Sequence, residues 1–412
     1  MPYKKNPLPY IRRYITTHNT EGESVFLSHA QVPDYLPSTP TGDDGEIALL
    51  YATTSMPASV DAEADVAMYD EFLHQPPGIT VDNGTVFRLI DLRPGKATPM
   101  HRTVSVDYGV IIEGEVDLVL DSGASRRMGR GDVSVQRGTA HSFRNRSDTE
   151  WCRMLFVYLP MEKLKIQGKD LNPEVYDEGF DNSDNGKGDQ GDPNEASFLF
   201  RSIIIFASLF EDCLNPLVHY PNQRLIFLAM DAPIRRVIAG HDAQGKAYFA
   251  SDEILTPYDP TTAPAFSTPG PDSGFGVIQI HRSRGFPVDN MRQLSDPHKT
   301  LVPLADTKGP SCRILDLPPA DAGWFHRTLS LDYAVVLSGT IGFITDGGEE
   351  KILNQHDVIV CRGANHEWVN RGKDVARVFV VVVPSKEIVT EDGKRLEKTP
   401  AGDIYDPKEE ED

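Results

Sequence analysis

The chain of 412 residues contains one long segment twice. The octapeptide His-Arg-Thr-Val-Ser-Val-Asp-Tyr at 101–108 recurs as His-Arg-Thr-Leu-Ser-Leu-Asp-Tyr at 326–333, an offset of 225 residues. The same offset relates further matching positions: Gly114 and Gly339, Asp121 and Asp346, Asp132 and Asp357, Arg137-Gly138 and Arg362-Gly363, His141 and His366, Asn145 and Asn370. Because this period far exceeds that of a solenoid unit, it predicts a duplicated domain rather than an array.

The openings of the two copies also match, since Ile11-Arg12-Arg13, His18 and Phe26 correspond to Ile234-Arg235-Arg236, His241 and Phe249. We therefore predict a first domain at 1–180 with its core at 85–160, and a second at 231–400 with its core at 310–385. An acidic tail follows at 401–412. Residues 181–230 are predicted to be a linker and connecting segment, since 181–192 are rich in Gly and Asp and contain no apolar residue. Residues 198–230 match nothing in the first copy, so they are either a connecting helix or strand, or a junction where two neighbouring genes, the second starting at Met230, were fused or misjoined.

Short apolar or alternating runs, separated by glycine turns, predict antiparallel β structure in both copies. The runs lie at 86–92, 110–112, 115–120, 133–135 and 154–157 in the first copy and at 334–337, 340–345, 358–360 and 378–383 in the second. Turns at intervals of 8–12 residues favour a sandwich or barrel. The opening segments, about 80 residues each, are less regular and are expected to wrap their barrels, with a short helix at 62–72.

Charge and cysteine content exclude several classes of function. The formal charge of −20 disfavours a nucleic-acid or anionic membrane partner, because like charges repel. The four cysteines show no CxxC spacing, which indicates a reducing compartment and no zinc knuckle. The most apolar run, 198–210, is shorter than the roughly 20 residues of a membrane span. These features predict a cytoplasmic protein without a membrane segment.

The repeated octapeptide carries candidate metal ligands. If residues 101–107 form one extended strand, His101, Thr103 and Asp107 lie on one face. His141 comes from a later strand, and two histidines with one carboxylate and open positions are typical of non-haem Fe(II) sites. His326, Asp332 and His366 repeat the pattern, so all six residues are predicted as metal ligands and catalytic residues.

These segments resemble the two motifs of the cupin superfamily. Gly95-x5-His101-x-Thr103-x3-Asp107-x6-Gly114 is similar to the first motif, and Gly131-x5-Arg137-Gly138-x2-His141-x3-Asn145 is similar to the second. The chain departs from the family at Thr103 and Thr328, where a second His is usual, and at Asp107 and Asp332, where Glu is usual. The His-Arg-Thr and Asp-Tyr signature is similar to that of fungal cupins of secondary-metabolite pathways. The resemblance implies an all-β fold of two jelly-roll (double-stranded β-helix) barrels stacked face to face, with irregular or short helical N-terminal extensions.

Three interpretations of each site remain open at this point. In the first interpretation the site binds a divalent metal, with Fe(II) preferred and Mn, Ni or Zn as alternatives. In the second it is a metal-free pocket in which His and Asp act as acid and base. In the third its residues are purely structural. The first predicts an oxygenase that tailors a small secondary metabolite such as a polyketide-derived acid. The second predicts a dehydratase or isomerase, and a non-enzymatic small-molecule-binding bicupin is the remaining alternative. Predicted pocket residues are Thr103, Phe143, Asn145, Thr328, Trp368 and Asn370.

Other repeated residues receive structural interpretations. Tyr108 and Tyr333 are expected on the barrel exterior or at an interface, and Arg102 and Arg327 in salt bridges. Arg137 and Arg362 are interpreted as solvated turn residues, with a carboxylate clamp as the alternative. By analogy with other cupins, the chain is predicted to form a homodimer.

Overall fold

β-Strands form most of the chain that the structure describes, and each copy contributes a large and a small sheet. The structure is a computed structural model and describes residues 6–28, 39–41, 44–60, 63–175, 232–260, 269, 273–290, 296–299, 302–390 and 393–399. The first copy contains β1 (Arg13–His18), β2 (Ser24–Phe26), β3 (Thr39–Thr41), β4 (Gly45–Ala52), α1 (Ala64–His74), β5 (Val86–Leu92), β6 (His101–Arg102), β7 (Ser105–Glu113), β8 (Val116–Leu120), β9 (Ser125–Met128), β10 (Val133–Arg137), β11 (His141–Asn145), β12 (Cys152–Pro160), β13 (Lys165–Ile166), β14 (Lys169–Asp170) and β15 (Glu174–Val175). The second copy contains β16 (Ile234–His241), β17 (Ala247–Leu255), β18 (Gly276–Arg282), a 3-10 turn (Pro297–Lys299), β19 (Ser311–Leu317), β20 (Ser330–Ser338), β21 (Thr340–Thr345), β22 (Glu350–Asn354), β23 (Val358–Arg362), β24 (His366–Asn370), β25 (Ala376–Pro384), β26 (Ile388–Val389) and β27 (Arg395–Leu396).

Two facing sheets enclose each barrel. In the described residues, the large sheet of the first barrel has the order β17-β16-β10-β7-β12-β5-β4-β3 and its small sheet the order β15-β6-β11-β8-β9. The second barrel has β18-β19-β25-β20-β23-β1-β2 and β22-β21-β24. Side chains from both sheets of the first barrel meet in one buried core, with Ile111 and Phe156 on the large sheet and Leu118 and Phe143 on the small one. This arrangement confirms the predicted all-β jelly-roll class.

The opening hairpin of each copy is built into the barrel of the other copy. β1 pairs in parallel with β23, with Arg13 opposite Val358, and β16 pairs in parallel with β10, with Arg236 opposite Val133. The expectation that each opening segment wraps its own barrel is therefore corrected for β1–β2 and β16–β17, although β3 and β4 stay with the first barrel. Because these hairpins pair with β10 and β23, each large sheet depends on the other copy.

The two large sheets pack against each other through their outer faces. Val106, Tyr108 and Val110 belong to the same buried cluster as Leu331 and Tyr333 of the other copy. β7 and β20 consequently bury every side chain except the last, because one face fills the barrel and the other packs on the second copy. This double burial explains why β12 and β25 are nearly continuous apolar runs rather than alternating ones.

The local predictions hold with small shifts. The helix begins and ends two residues later than predicted, at Ala64–His74. Gly114 and Gly339, at the turns after β7 and β20, have φ of 79° and 84°, a region that favours glycine. The predicted linker and connecting segment at 181–230 and the tail at 401–412 lie outside the described residues. Within those residues, no helix has the length and hydropathy needed to cross a membrane.

Candidate functional site

His101 and Asp107 lie on different walls of the barrel, because the chain changes sheet between them. β6 ends at Arg102 in the small sheet, whereas β7 begins at Ser105 in the large sheet. The prediction of one extended strand over 101–107 is therefore wrong. Asp107 shares its face with Ile111 of the barrel core, so it faces the interior from the wall opposite His101. The second copy follows the same course, since β20 begins only at Ser330.

The two histidines of each copy do come together, as predicted. His101 lies directly opposite His141 on neighbouring strands, and their ring centroids are 4.6 Å apart. The rings of His326 and His366 are 4.5 Å apart, and their backbones exchange hydrogen bonds of 2.9 Å. We call these the first and the second imidazole pair.

Backbone carbonyls fix the tautomer of all four rings. The Nδ1 atoms of His101 and His141 lie 2.8 Å from the carbonyl of Pro99 and 2.9 Å from that of Thr139. In the second pair, Nδ1 donates to the carbonyls of Trp324 and Ala364, at 3.1 and 2.9 Å. Because a carbonyl only accepts, each Nδ1 carries the proton and each Nε2 keeps its lone pair.

Burial keeps the imidazoles neutral. It lowers the pKa of His101 and of His326, and it lowers the pKa of His141 to about 3, with the neighbouring His101 as a further cause. Burial likewise takes the pKa of His366 well below its ordinary value. Each pair therefore presents two neutral rings, each with a lone pair on Nε2, rather than two cations.

The carboxyl groups interact with hydroxyls rather than with the imidazoles. Ser105 Oγ and Thr103 Oγ1 both donate to Asp107, the latter at 3.3 Å, and Ser105 also donates to Thr103 at 2.8 Å. Burial raises the pKa of Asp107 to about 7, against the opposing effect of these hydrogen bonds. Burial raises the pKa of Asp332 to about 7 as well, with Ser330 opposing it.

The predicted three-ligand metal set does not fit this geometry. Over the part of the chain that the structure describes, no group of three or more His, Cys, Asp or Glu side chains could hold one metal ion. Each imidazole pair supplies two nitrogen donors, but the carboxylate that should complete the set lies in the hydroxyl cluster on the opposite wall. We therefore assign no chemical step to a metal.

The two barrels differ most in the side chains that fill them. Strand register matches Met154, Phe156 and Tyr158 of β12 with Val378, Val380 and Val382 of β25. In the first barrel Phe156 stacks on Tyr158 at 5.9 Å and packs edge-on against Phe143 at 5.2 Å. The second barrel has valine at all three positions, so much less side-chain volume lies between its sheets.

His326 of the second imidazole pair lines two cavities. A cavity of about 440 Å³ is lined mainly by apolar groups and includes Arg313, His326 and Trp368. A second, of about 580 Å³, also includes His326, together with Arg327 and Thr328. At the mouth Trp324 and Phe325 are 43% and 39% exposed, whereas Met100, at the position of Phe325 in the first copy, is buried. The second pair is thus the more accessible to a small molecule.

The predicted pocket residues separate into two groups. Trp368 and Asn370 line the smaller cavity, and Thr328 lines the larger one. Thr103 is buried in the hydroxyl cluster and Phe143 in the apolar core. The Asn145 amide donates to three backbone carbonyls, those of Leu92, Arg93 and Glu150, so its contacts hold turns in place.

The repeated arginines and tyrosines join the two copies. Arg362 is buried and forms a bidentate ion pair with Asp65, at 2.8 and 2.6 Å, and Arg137 Nε donates to Asn290 Oδ1 at 2.8 Å. The interpretation of these arginines as solvated turn residues is therefore wrong. The tyrosines lie at the interface, where Tyr108 hydrogen-bonds His281 and Ser283, and Tyr333 hydrogen-bonds Thr85. Arg102 and Arg327 form the expected salt bridges, with Asp121 and Asp346.

Comparison with known proteins identifies the family. Residues 88–158 match the family model of the cupin domain. Phomopsin biosynthesis cluster protein C' of Diaporthe leptostromiformis is 50% identical over 157 residues, which are 38% of this chain and 82% of that protein. The chain belongs to the cupin superfamily. This cupin is also 42% identical over 168 residues to the cupin-domain-containing oxidoreductase fogC of Aspergillus ruber, covering 40% of this chain and 79% of the relative.

Each of these relatives therefore corresponds to a single copy of the duplicated cupin. Among solved structures, salicylate 1,2-dioxygenase from Pseudaminobacter salicylatoxidans is similar at a TM-score of 0.38 and 15% identity, covering 73% of this chain and 70% of that one.

Sequence reasoning missed Arg313 and Trp324, which border the smaller cavity. A search for a repeat looks for positions at which the two copies have the same residue. The cavity is instead indicated by positions at which the two copies have different residues. Pro99 becomes Trp324, Met100 becomes Phe325, and Phe156 becomes Val380. The last of these is displaced by one residue from the general offset, because the loop at 146–151 between β11 and β12 is one residue longer than the loop at 371–375 between β24 and β25.

Proposed function

We propose that this chain is a cupin oxidoreductase that modifies a small molecule of fungal secondary metabolism, and that the second barrel holds its working site. The observation that carries the proposal is the second imidazole pair, whose two rings lie 4.5 Å apart and whose His326 lines two cavities. The similarity to a protein of a phomopsin biosynthesis cluster and to a named cupin oxidoreductase supports the class of function.

The residues of this site supply binding and proton transfer. His326 lines both cavities, so its Nε2 can accept a proton from a substrate hydroxyl or an activated C–H group. The aromatic side chains Trp324 and Trp368 offer apolar contact area, and the side chain of His366 is buried. The first pair, in a filled barrel, serves the fold in this proposal.

The finer prediction from the sequence, an Fe(II)-dependent oxygenase, requires Asp332 to join the imidazoles. A metal-independent dehydratase or isomerase using the same pocket is the second candidate. The specific observation in its favour is the raised pKa of Asp332, about 7, which lets this buried group hold a proton near neutral pH. In this candidate Asp332 acts as an acid from the large sheet, and the imidazole of His326 acts as a base from the opposite wall.

Deletion and complementation in the producing fungus test the assignment. We expect loss of the gene to remove or alter one metabolite, seen by liquid chromatography and mass spectrometry. A copy with His326→Ala and His366→Ala should fail to restore it, while the matched His101→Ala and His141→Ala copy should succeed. The reverse result would assign the reaction to the first barrel, and full rescue by both variants would favour the non-enzymatic alternative.

Metal analysis separates the two candidate chemistries. The purified protein is reconstituted with Fe(II), Mn(II), Ni(II) or Zn(II), its metal content is measured by mass spectrometry, and turnover is followed with and without EDTA. Bound metal that is lost together with activity supports the oxygenase. Activity that survives EDTA but not His326→Ala supports the dehydratase or isomerase.

A further inference from the structure

We propose that a cavity of about 330 Å³ between the two copies binds a small aliphatic carboxylate, held by the guanidinium of Arg137. The residues that line this cavity include none of the four paired histidines, so the inference goes beyond the proposed function and does not depend on it. It assigns a ligand to the motif arginine of the first copy, at the position where the sequence leaves a carboxylate clamp open as an alternative.

Both copies contribute to the walls of the cavity. Arg137 ends β10 and comes from the first copy, whereas every other lining residue comes from the second copy. Among these, Arg236 and Ile238 belong to β16, which pairs in parallel with β10, and His281 belongs to β18. The segment at 288–290 closes the cavity beside Arg137. A ligand here would therefore contact both copies at once.

The charge of Arg137 meets only neutral acceptors. Its Nε atom donates to Asn290 Oδ1 at 2.8 Å, and its Nη2 atom donates to the Asn290 carbonyl. Over the residues that the structure describes, Nη1 makes no hydrogen bond and no carboxylate forms an ion pair with this guanidinium. Burial lowers the pKa of the neighbouring His281 to about 3, and Arg137 is the next largest cause. The surroundings of Arg137 therefore favour an anion over a second cation.

The second copy shows what an arginine at this position can hold. Arg362 lies at the matching end of β23, and its Nε and Nη2 atoms bind the carboxylate of Asp65 at 2.8 and 2.6 Å. At Arg137 the neutral Asn290 takes the place of that carboxylate. A carboxylate supplied by a ligand would form charge-assisted hydrogen bonds, which are about twice as strong as neutral ones.

The acidic side chains that line the cavity do not take this role. Glu253 and Asp296 both form ion pairs with Arg236, the latter at 3.0 Å. Arg282 and Asp289 also line the cavity and add one charge of each sign. Arg137 therefore keeps its charge for a ligand, since the nearby carboxylates of this chain are bound elsewhere or balanced.

The rest of the wall selects a short aliphatic body. Ile238, Ala250 and Val288 supply apolar surface, and the volume is at the lower end of the range of small-molecule sites. Ser251 Oγ is buried and has no hydrogen-bond partner in the described part of the chain, so it can donate to the second carboxylate oxygen. A branched acid of five to seven carbon atoms, at order-of-magnitude volume, matches this space.

Calorimetric titration of the full-length protein tests the inference, with 4-methylpentanoate, its neutral isostere 4-methylpentanamide and inorganic phosphate at one ionic strength as probes. We expect the carboxylate to bind roughly tenfold or more tightly than either of the other two, because the amide has no charge and phosphate has no apolar body. One equivalent should bind per chain, since Arg362 already holds Asp65.

Two variants test the role of Arg137. Arg137→Gln should weaken the carboxylate by roughly tenfold or more and leave the amide unchanged. Arg127→Gln is the matched control, because Arg127 is an exposed arginine that pairs with Glu115 and does not line the cavity, so this variant should bind as the wild type does. Asn290→Asp keeps Arg137 and supplies a carboxylate from the chain itself, so it should weaken the ligand to a similar degree.

Thermal unfolding shows whether each variant is folded, and Asn290→Asp decides the test if Arg137→Gln is not. The inference is overturned if the wild type binds neither organic compound, if it binds the carboxylate no more tightly than the amide or phosphate, or if either folded variant binds the carboxylate normally. Because His326 and His366 are untouched, loss of this binding with unchanged turnover would leave the proposed function in place.

Discussion

The two barrels of this cupin have the same signature residues but different interiors. Each has a pair of histidines on its small sheet and a hydroxyl-bonded aspartate on its large sheet. Phe156 and Tyr158 fill the first, whereas Val380 and Val382 leave space in the second. The difference teaches that duplication can preserve a motif while the side chains around it change in size, so side-chain volume separates the two sites better than the motif does.

The interface shows a second asymmetry. Arg362 meets the carboxylate of Asp65, whereas Arg137 meets the neutral amide of Asn290. Both contacts join a motif residue of one copy to the opening segment of the other. The contact of Arg362 with Asp65 is an ion pair and is buried. Replacing Arg362 should therefore lower the free energy of unfolding more than the same replacement of Arg137.

The largest effect is expected from Arg362→Met. This change leaves Asp65 as a buried charge without its bidentate partner, which typically costs about 3–5 kcal/mol. Arg137→Met, the matched change, removes only neutral-acceptor hydrogen bonds and should cost about 1–3 kcal/mol. Urea unfolding of both variants measures the difference, and equal losses would show that the charge of Asp65 is unimportant.

Opening the first barrel should have the next largest effect. Phe156→Val removes a buried ring from a packed core and is expected to lower the free energy of unfolding by about 2–4 kcal/mol. Val380→Ala in the second barrel should lower it by about 1–2 kcal/mol, because less volume is removed. A loss for Phe156→Val no greater than that for Val380→Ala would contradict the view that only the first barrel is filled.

A pH-dependent effect should follow from Asp107. Because its pKa is raised from 3.8 to about 7 in the folded protein, its contribution to stability is lost as pH rises from about 4 to about 7. Asp107→Asn does not titrate, so between pH 5 and pH 8 it should lose less stability than the wild type, by on the order of 2 kcal/mol. The pKa of His141 is lowered, so its titration raises the stability of the folded protein as pH rises toward 6.5. This contribution is the same in the wild type and in Asp107→Asn, so it does not affect their difference. Urea unfolding at the two pH values measures this. If the difference in unfolding free energy between the wild type and Asp107→Asn is the same at pH 5 and at pH 8, the raised pKa is refuted.

The smallest effect is expected from Gly109→Ala. A Cβ atom at Gly109 would lie 2.3 Å from Phe156 Cε1, so the ring must shift, at a cost of about 1–2 kcal/mol. The second copy has alanine at this position and valine in place of the phenylalanine. In a double-mutant cycle, Phe156→Val should therefore relieve the cost of Gly109→Ala, and strict additivity would argue against direct contact.

Much of the fold could be predicted from sequence because it depends on local patterns and on repetition. The apolar runs gave 86–92 and 340–345 as strands with the observed bounds, and the two cupin-like motifs predicted that His101 meets His141 and that His326 meets His366. The carboxylates were assigned less well. A bend of two residues, Thr103 and Val104, moves the chain to the other sheet, and nothing in a His-x-Thr-x-Ser-x-Asp alternation indicates such a crossing.

The amino-acid sequence by itself determined that this protein is a tandem of two β-barrels with one imidazole pair in each, because strand periodicity and duplication are properties of the chain. Only the tertiary structure decided which hairpin completes which barrel, which arginine meets which carboxylate, and which interior has room for a ligand. These outcomes depend on contacts between residues more than 100 positions apart and on the volume that remains between packed sheets. Such volume is a sum over many side chains, so no single motif records it.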